Sequence, residues 1–198
     1  MSTQLKGTFI PFVFLISCIL LACGGGDYSP KPRGYHKITF PEKEYIKFDS
    51  TCPFTFDYPK YAKVVPDQSK NTEPCWINVE FPEFDAKLHL SYKSVNNGAR
   101  FYALAEDSRR FVFKHTVKAD GIGENMIQDT ARDVYGIYYT IAGNAASNIQ
   151  FFLTDTNTHF LRGALYFNSA PQIDSIKPVL EFIKADIEVL MESLEWRD

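Results

Sequence analysis

Residues 133–167 read DVYGIYYTIAGNAASNIQFFLTDTNTHFLRGALYF. Three apolar runs, DVYGIYYTIAG, SNIQFFLTD and THFLRGALYF, are separated only by NAA and TN. At a period of two, Tyr135, Ile137, Tyr139 and Ile141 share one face, while Val134, Tyr138 and Ala142 occupy the other; Phe151 and Phe152 also point opposite ways. Strands that are apolar on both faces must be covered on both faces. The short links demand antiparallel neighbours. The stretch therefore predicts an α+β fold: a layered α/β sandwich with a central, mainly antiparallel sheet between two helical covers.

Both covers can be found by helical spacing. Asn97 is placed to cap a helix from about Gly98 to His115, with Phe101, Leu104, Ala105, Ser108, Phe111 and Val112 on one stripe. A second helix is expected from about Ile173 to Trp196, where Ile176, Leu180, Ile183, Ile187, Leu190 and Leu194 repeat at alternating steps of four and three. A stripe shorter than three heptads reads as core rather than coiled coil. Pro178 is tolerable if it lies in the first turn, which makes Asp174 or Ser175 the expected cap.

Upstream, KITF (37–40), EYIKF (44–48) and FTFDY (54–58) read as short strands, and Phe54, Phe56 and Tyr58 alternate. WINVEF (76–81) and AKLHLSY (86–92) form an expected hairpin across Pro82–Asp85. Its second strand faces Leu88, Leu90 and Tyr92 inward and Lys87, His89 and Ser91 to solvent. ADGIGEN (119–125) reads as a turn, since its Gly-x-Gly lacks the strand–glycine–helix context of a phosphate loop.

The chain begins with one basic residue, Lys6, and an apolar run of about fifteen residues, short of the roughly 20 that a membrane helix needs. That pattern describes an export signal over residues 1–22. Leu20-Leu21-Ala22-Cys23 resembles the lipobox of bacterial lipoproteins, in which the cysteine sulfur receives a diacylglycerol, cleavage precedes it and its amino group is acylated. Three acyl chains, palmitate among the usual ones, would anchor the protein permanently, where one anchors only marginally. Residues 23–37 then read as the lipidated Cys23 and a flexible tether. Pro30 and Pro32 favour polyproline II, and Lys31, Arg33, His36 and Lys37 could equally be a soluble linker or meet anionic head groups. Residues 38–198 form the single expected domain.

Removal of residues 1–22 leaves 20 basic and 24 acidic side chains, a balance that gives no footprint for nucleic acid. Of the four cysteines, Cys18 lies in the signal and Cys23 takes the lipid. Cys52 and Cys75 remain, and for an exported chain a disulfide is expected, with two free buried thiols as the alternative. No histidine or third cysteine stands at ligand spacing, so no metal and no cofactor are expected. His36, His89, His115 and His159 have no carboxylate or cysteine at a spacing that suggests a triad. Glu42/Glu44, Glu106/Asp107 and Arg109/Arg110 read as solvated pairs. No catalytic residue is named, and the protein is expected not to be an enzyme.

The run CGGGDYSPKPRGYHKI, then FPEKEYIKFDSTCPFTFDYPKYAKV, resembles the gliding motility-associated lipoprotein GldD family of Bacteroidota, and the similarity continues through DSIKPVLEFIKADIEVLMESLEW. The resemblance implies a membrane-anchored, non-enzymatic part of the gliding apparatus bound up with type IX secretion, whose partners are other proteins of that apparatus. It brings no catalytic residues. The order of FTFDYPKYAKV, a long antiparallel middle and a terminal helix is also similar to PsbP-like α-β-α sandwiches. Gly24 is not the aspartate that retains lipoproteins in the inner membrane of proteobacteria, and Asp27 stands alone after the cysteine, so a periplasm-facing lipoprotein in either membrane is expected. The alternative is a periplasmic lipoprotein that binds a hydrophobic small molecule or lipid between sheet and helix.

Overall fold

The structure is a computed structural model that describes residues 37–114, 119–168 and 173–197. The described residues from Thr39 onward make one compact unit.

Among the described residues, ten strands and two longer helices follow in chain order: β1 (Tyr45–Phe48), β2 (Phe54–Pro59), β3 (Lys63–Pro66), β4 (Ile77–Phe81), β5 (Ala86–Ser94), α1 (Gly98–Phe113), β6 (Ala119–Asp129), β7 (Val134–Gly143), β8 (Ile149–Thr154), β9 (His159–Phe167), α2 (Ile173–Glu192) and β10 (Glu195–Trp196). A seven-stranded antiparallel sheet runs β3-β4-β5-β9-β8-β7-β6, and a small sheet runs β1-β2-β10.

The meander of residues 133–167 forms as its pattern requires. Tyr138 lies opposite Phe151 and Ile137 opposite Phe152. One face carries Val134, Tyr138, Phe151, Leu153, Leu161 and Leu165, buried with Ile183, Ile187 and Leu190 of α2 and with Phe54 and Phe56 of β2. The other carries Ile137, Tyr139, Ile141, Phe152 and Phe160 beneath Val112, Leu104 and Phe101 of α1. The fold is thus the expected α+β sandwich, with the small sheet helping α2 to cover its side.

Local expectations meet three corrections. ADGIGEN is not a turn but most of β6, an 11-residue strand. Its glycines lower strand propensity, and the register with β7 overrides that local preference. The C-terminal helix stops at Glu192, and Trp196 pairs with Phe54 in β10 instead of continuing the helix. KITF is not a strand.

Two caps differ in outcome. Arg100 N–H donates to Asn97 Oδ1 at 2.8 Å, the expected cap of α1. At α2, Asp174 and Ser175 already lie inside the helix, and the Ile173 N–H donates instead to Asn144 Oδ1 from the β7–β8 link (2.8 Å). Pro178 sits beyond the first turn, so the Asp174 carbonyl forgoes its usual donor. α1 ends at Phe113, and His115 lies outside the described residues.

Candidate functional site

The most site-like opening lies between sheet and helix. On the α2 side, β6 presents Gly121 and Gly123, and β7 presents Thr140 and Ala142. These small residues leave the N-terminal half of α2 standing off the sheet. The result is a groove of about 650 Å³. Ile149, Ile173 and Leu180 give it an apolar floor, and Lys177, Lys184 and Glu181 edge it with charge. A Cβ added at Gly121 would meet nothing within 4 Å, so the space there is open. Such a groove suits a slender apolar body with a charged end.

A second cleft, of about 560 Å³, lies beside the disulfide. Cys52 and Cys75 are joined there, with Cα atoms 5.6 Å apart, and Cys75 takes φ 61° to bring its sulfur across. Phe48, Val64, Pro66 and Trp76 line the cleft. The Trp76 indole N–H donates to the Tyr92 carbonyl (2.9 Å), which fixes the ring. The Lys93 ammonium lies 4.9 Å from that ring and also pairs with Glu73.

Polar chemistry concentrates in two further places. Asp186 on α2 is 1 % exposed and accepts from Lys43 Nζ (2.6 Å), from the Tyr45 hydroxyl (2.8 Å) and from the Tyr61 hydroxyl. Burial and the carboxylate both push the Tyr45 and Tyr61 phenols well above their ordinary range, so both remain donors. Phe182, one turn before Asp186, stacks on Phe40 at 4.3 Å and lies 4.0 Å beneath Lys43 Nζ. In the other place, His159 is buried, stacks on Trp196 at 5.1 Å and shares a 2.9 Å hydrogen bond with the Tyr92 hydroxyl. Asp155 Oδ1 accepts the backbone N–H groups of Asn157, Thr158 and His159, which shapes the β8–β9 turn. Among the described residues no three His, Cys, Asp or Glu side chains are grouped to hold a metal ion.

The model of the family described as gliding motility lipoprotein GldD matches residues 25–196. The chain belongs to the GldD family. A comparison with curated proteins finds no match. Among solved structures, the solution structure of cyanobacterial PsbP (CyanoP) from Synechocystis sp. PCC 6803 is similar at 10 % identity, with a TM-score of 0.49 over 83 % of this chain and 99 % of that one. Membership in the GldD family makes the protein a gliding motility lipoprotein of the cell envelope. Among the described residues no helix is long and apolar enough to cross a membrane.

Of the site residues named from sequence in this GldD-family chain, Cys23 lies outside the described residues. Cys52 and Cys75, 23 positions apart, meet as described. His89 was expected in solvent and is half-buried; its ring meets the edge of Tyr166 at 5.6 Å. Burial first, and then Lys87, hold its pKa below the ordinary histidine value. Phe111, expected in the core stripe of α1, is 45 % exposed and carries the Arg162 guanidinium 4.6 Å from its ring. Asp186 was missed, because a lone acid inside an apolar stripe has no local signature. Its donors come from residues more than a hundred positions away. A ligand between sheet and helix was the alternative expectation, but the residues that form the groove were not legible, because it is made by what the glycines lack.

Proposed function

We propose that the protein is a membrane-anchored, non-enzymatic component or assembly factor of the gliding machinery linked to type IX secretion. The family match carries this reading, since it begins at residue 25, two positions after Cys23, and runs through the whole folded unit. In this reading residues 1–22 are removed, Cys23 holds the lipid, residues 24–37 set the height of the domain above the bilayer, and the domain faces the periplasm from the inner or outer membrane. Its contacts are with other proteins of the apparatus. The test is an in-frame deletion in the source bacterium, complemented with wild type or with Cys23→Ala, scored for movement on glass and for protein released to the medium. Loss of both, restored only by the lipidated form, is the expected result. Movement and release by a verified non-lipidated mutant would overturn it.

A second reading, a lipoprotein that holds a lipid or other amphiphile, is favoured by the groove between β6, β7 and α2, with its apolar floor and lysine edge. Native mass spectrometry of the purified protein should then show a co-purifying mass that Gly121→Phe removes, because the new ring occupies open space rather than the core. If each protein shows only its own ligand-free mass, this reading is overturned.

A further inference from the structure

The two edges of the seven-stranded sheet are built differently. At β3 the Asp67 N–H donates to the Trp76 carbonyl (2.9 Å), so alternation along the ladder turns Val64 and Pro66 outward. An outward proline offers no N–H and blunts an edge against strand addition. β3 is also only four residues long. β6, at the other edge, has 11 residues and no proline. The Ile141 N–H donates toward β8, to the Asn148 carbonyl (2.8 Å), so the even-numbered residues of β7 are the ones bonded to β6. The register then directs the backbone groups of Asn125, Ile127 and Asp129 inward and those of Ile122, Glu124, Met126 and Gln128 outward. Those outward groups have no partner among the described residues. Met126, one of them, is 82 % exposed.

We propose that β6 is a homodimerisation edge, pairing antiparallel with β6 of a second copy about a twofold axis at Met126, so that the two sheets become one. The strand is self-complementary in that register and less so when the axis moves toward Glu124. Met126 meets Met126 of the second copy, apolar against apolar. Glu124 faces Gln128, whose amide can donate to the carboxylate, and Gly123 faces Asp129. The two Glu124 side chains are then four residues apart along the ladder, about 14 Å, beyond a Debye length of roughly 8 Å at physiological salt. A shift that centres the axis on Glu124 sets carboxylate against carboxylate, which is unfavourable. A shift that centres it on Asn125 sets each Glu124 against Met126. The paired stretch, residues 123–129, also avoids residues 115–118. This pairing goes beyond the motility reading and does not depend on it.

Cysteine cross-linking of the full-length protein in membranes of the producing cell tests the register. Under mild oxidation Met126→Cys should give a disulfide-linked species of twice the chain mass. Glu124→Cys alone should give at least tenfold less, and Glu124→Cys with Gln128→Cys should recover it. Met126→Pro in that double-cysteine background should again lower the yield tenfold and leave the melting temperature nearly unchanged, because the lost N–H points away from β7. If this proline variant does not fold, the comparison of Glu124→Cys with Met126→Cys decides alone. Equal yields at the two positions, no linked species, or linkage of Met126→Cys to a protein of different mass would each overturn the proposal.

Discussion

Asp186 shows how much one buried carboxylate can organise when its donors converge from distant parts of the chain. Lys43 stays partly in water, so the ion pair is screened on one side, whereas the two phenols are committed to the carboxylate. Breaking such a network by removing its acceptor costs about 3–5 kcal/mol. Asp186→Ala should therefore lower thermal stability strongly, and Tyr45→Phe should cost about 1.5–3 kcal/mol, the usual worth of a hydrogen bond to a charged group; chemical denaturation measures both. His89 is the titrating residue to watch. Its folded pKa lies below the unfolded value of about 6.5, so the unfolded chain binds the proton first. Stability should fall as the pH drops from about 6.5 toward the folded value and level off below it. His89→Gln should remove that decline in a urea titration repeated across pH. Neither residue was legible as a site: alternation placed His89 on the correct side of β5, but how much of that side is covered depends on β4 and β9.

At the scale of elements, the central meander and both helices were readable because burial on two faces, or along one stripe, leaves a period in the sequence. Leu180, Ile183, Ile187 and Leu190 are all buried as the spacing of α2 required. β6 was not readable: two glycines in five residues look like a turn, and only pairing along the whole of β7 holds them extended. β10 was hidden for a similar reason, since two residues carry no period, and Trp196 is drawn from the helix by its pairing with β2 and a 3.1 Å hydrogen bond to the Asp133 carbonyl. Glycine has a different task in β9. A Cβ on Gly163 would lie 2.2 Å from the Phe151 ring, which is fully buried and cannot retreat. Gly163→Ala should destabilise by about 1–3 kcal/mol through overpacking, read as a shift of the denaturation midpoint without a change in slope.

Across the whole molecule, two sheets share one core, and a covalent link joins them. Cys52 precedes β2 of the small sheet, and Cys75 precedes β4 of the large one. Closing that loop is worth about 3–4 kcal/mol in chain entropy. Cys52→Ser with Cys75→Ser should lose about that much, and reduction of the native protein should reproduce the loss; a midpoint unchanged by either would contradict it. The sequence supplied the two residues and the compartment logic for pairing them, but not the proximity, which arises only once β2 and β4 pack into the same core. The Asp186 network has a mechanical consequence as well. A pull applied through the residues before Thr39 enters the fold at Phe40, Lys43 and Tyr45, all three fastened to α2 by a ring stack, an ion pair and a hydrogen bond. The load is thus passed to a helix packed along the core before it reaches the four-residue ladder of β1 with β2. Under tension that clamp is the fuse, and the force at which it opens sets how hard the domain can be tugged before it begins to unravel from its N-terminal side.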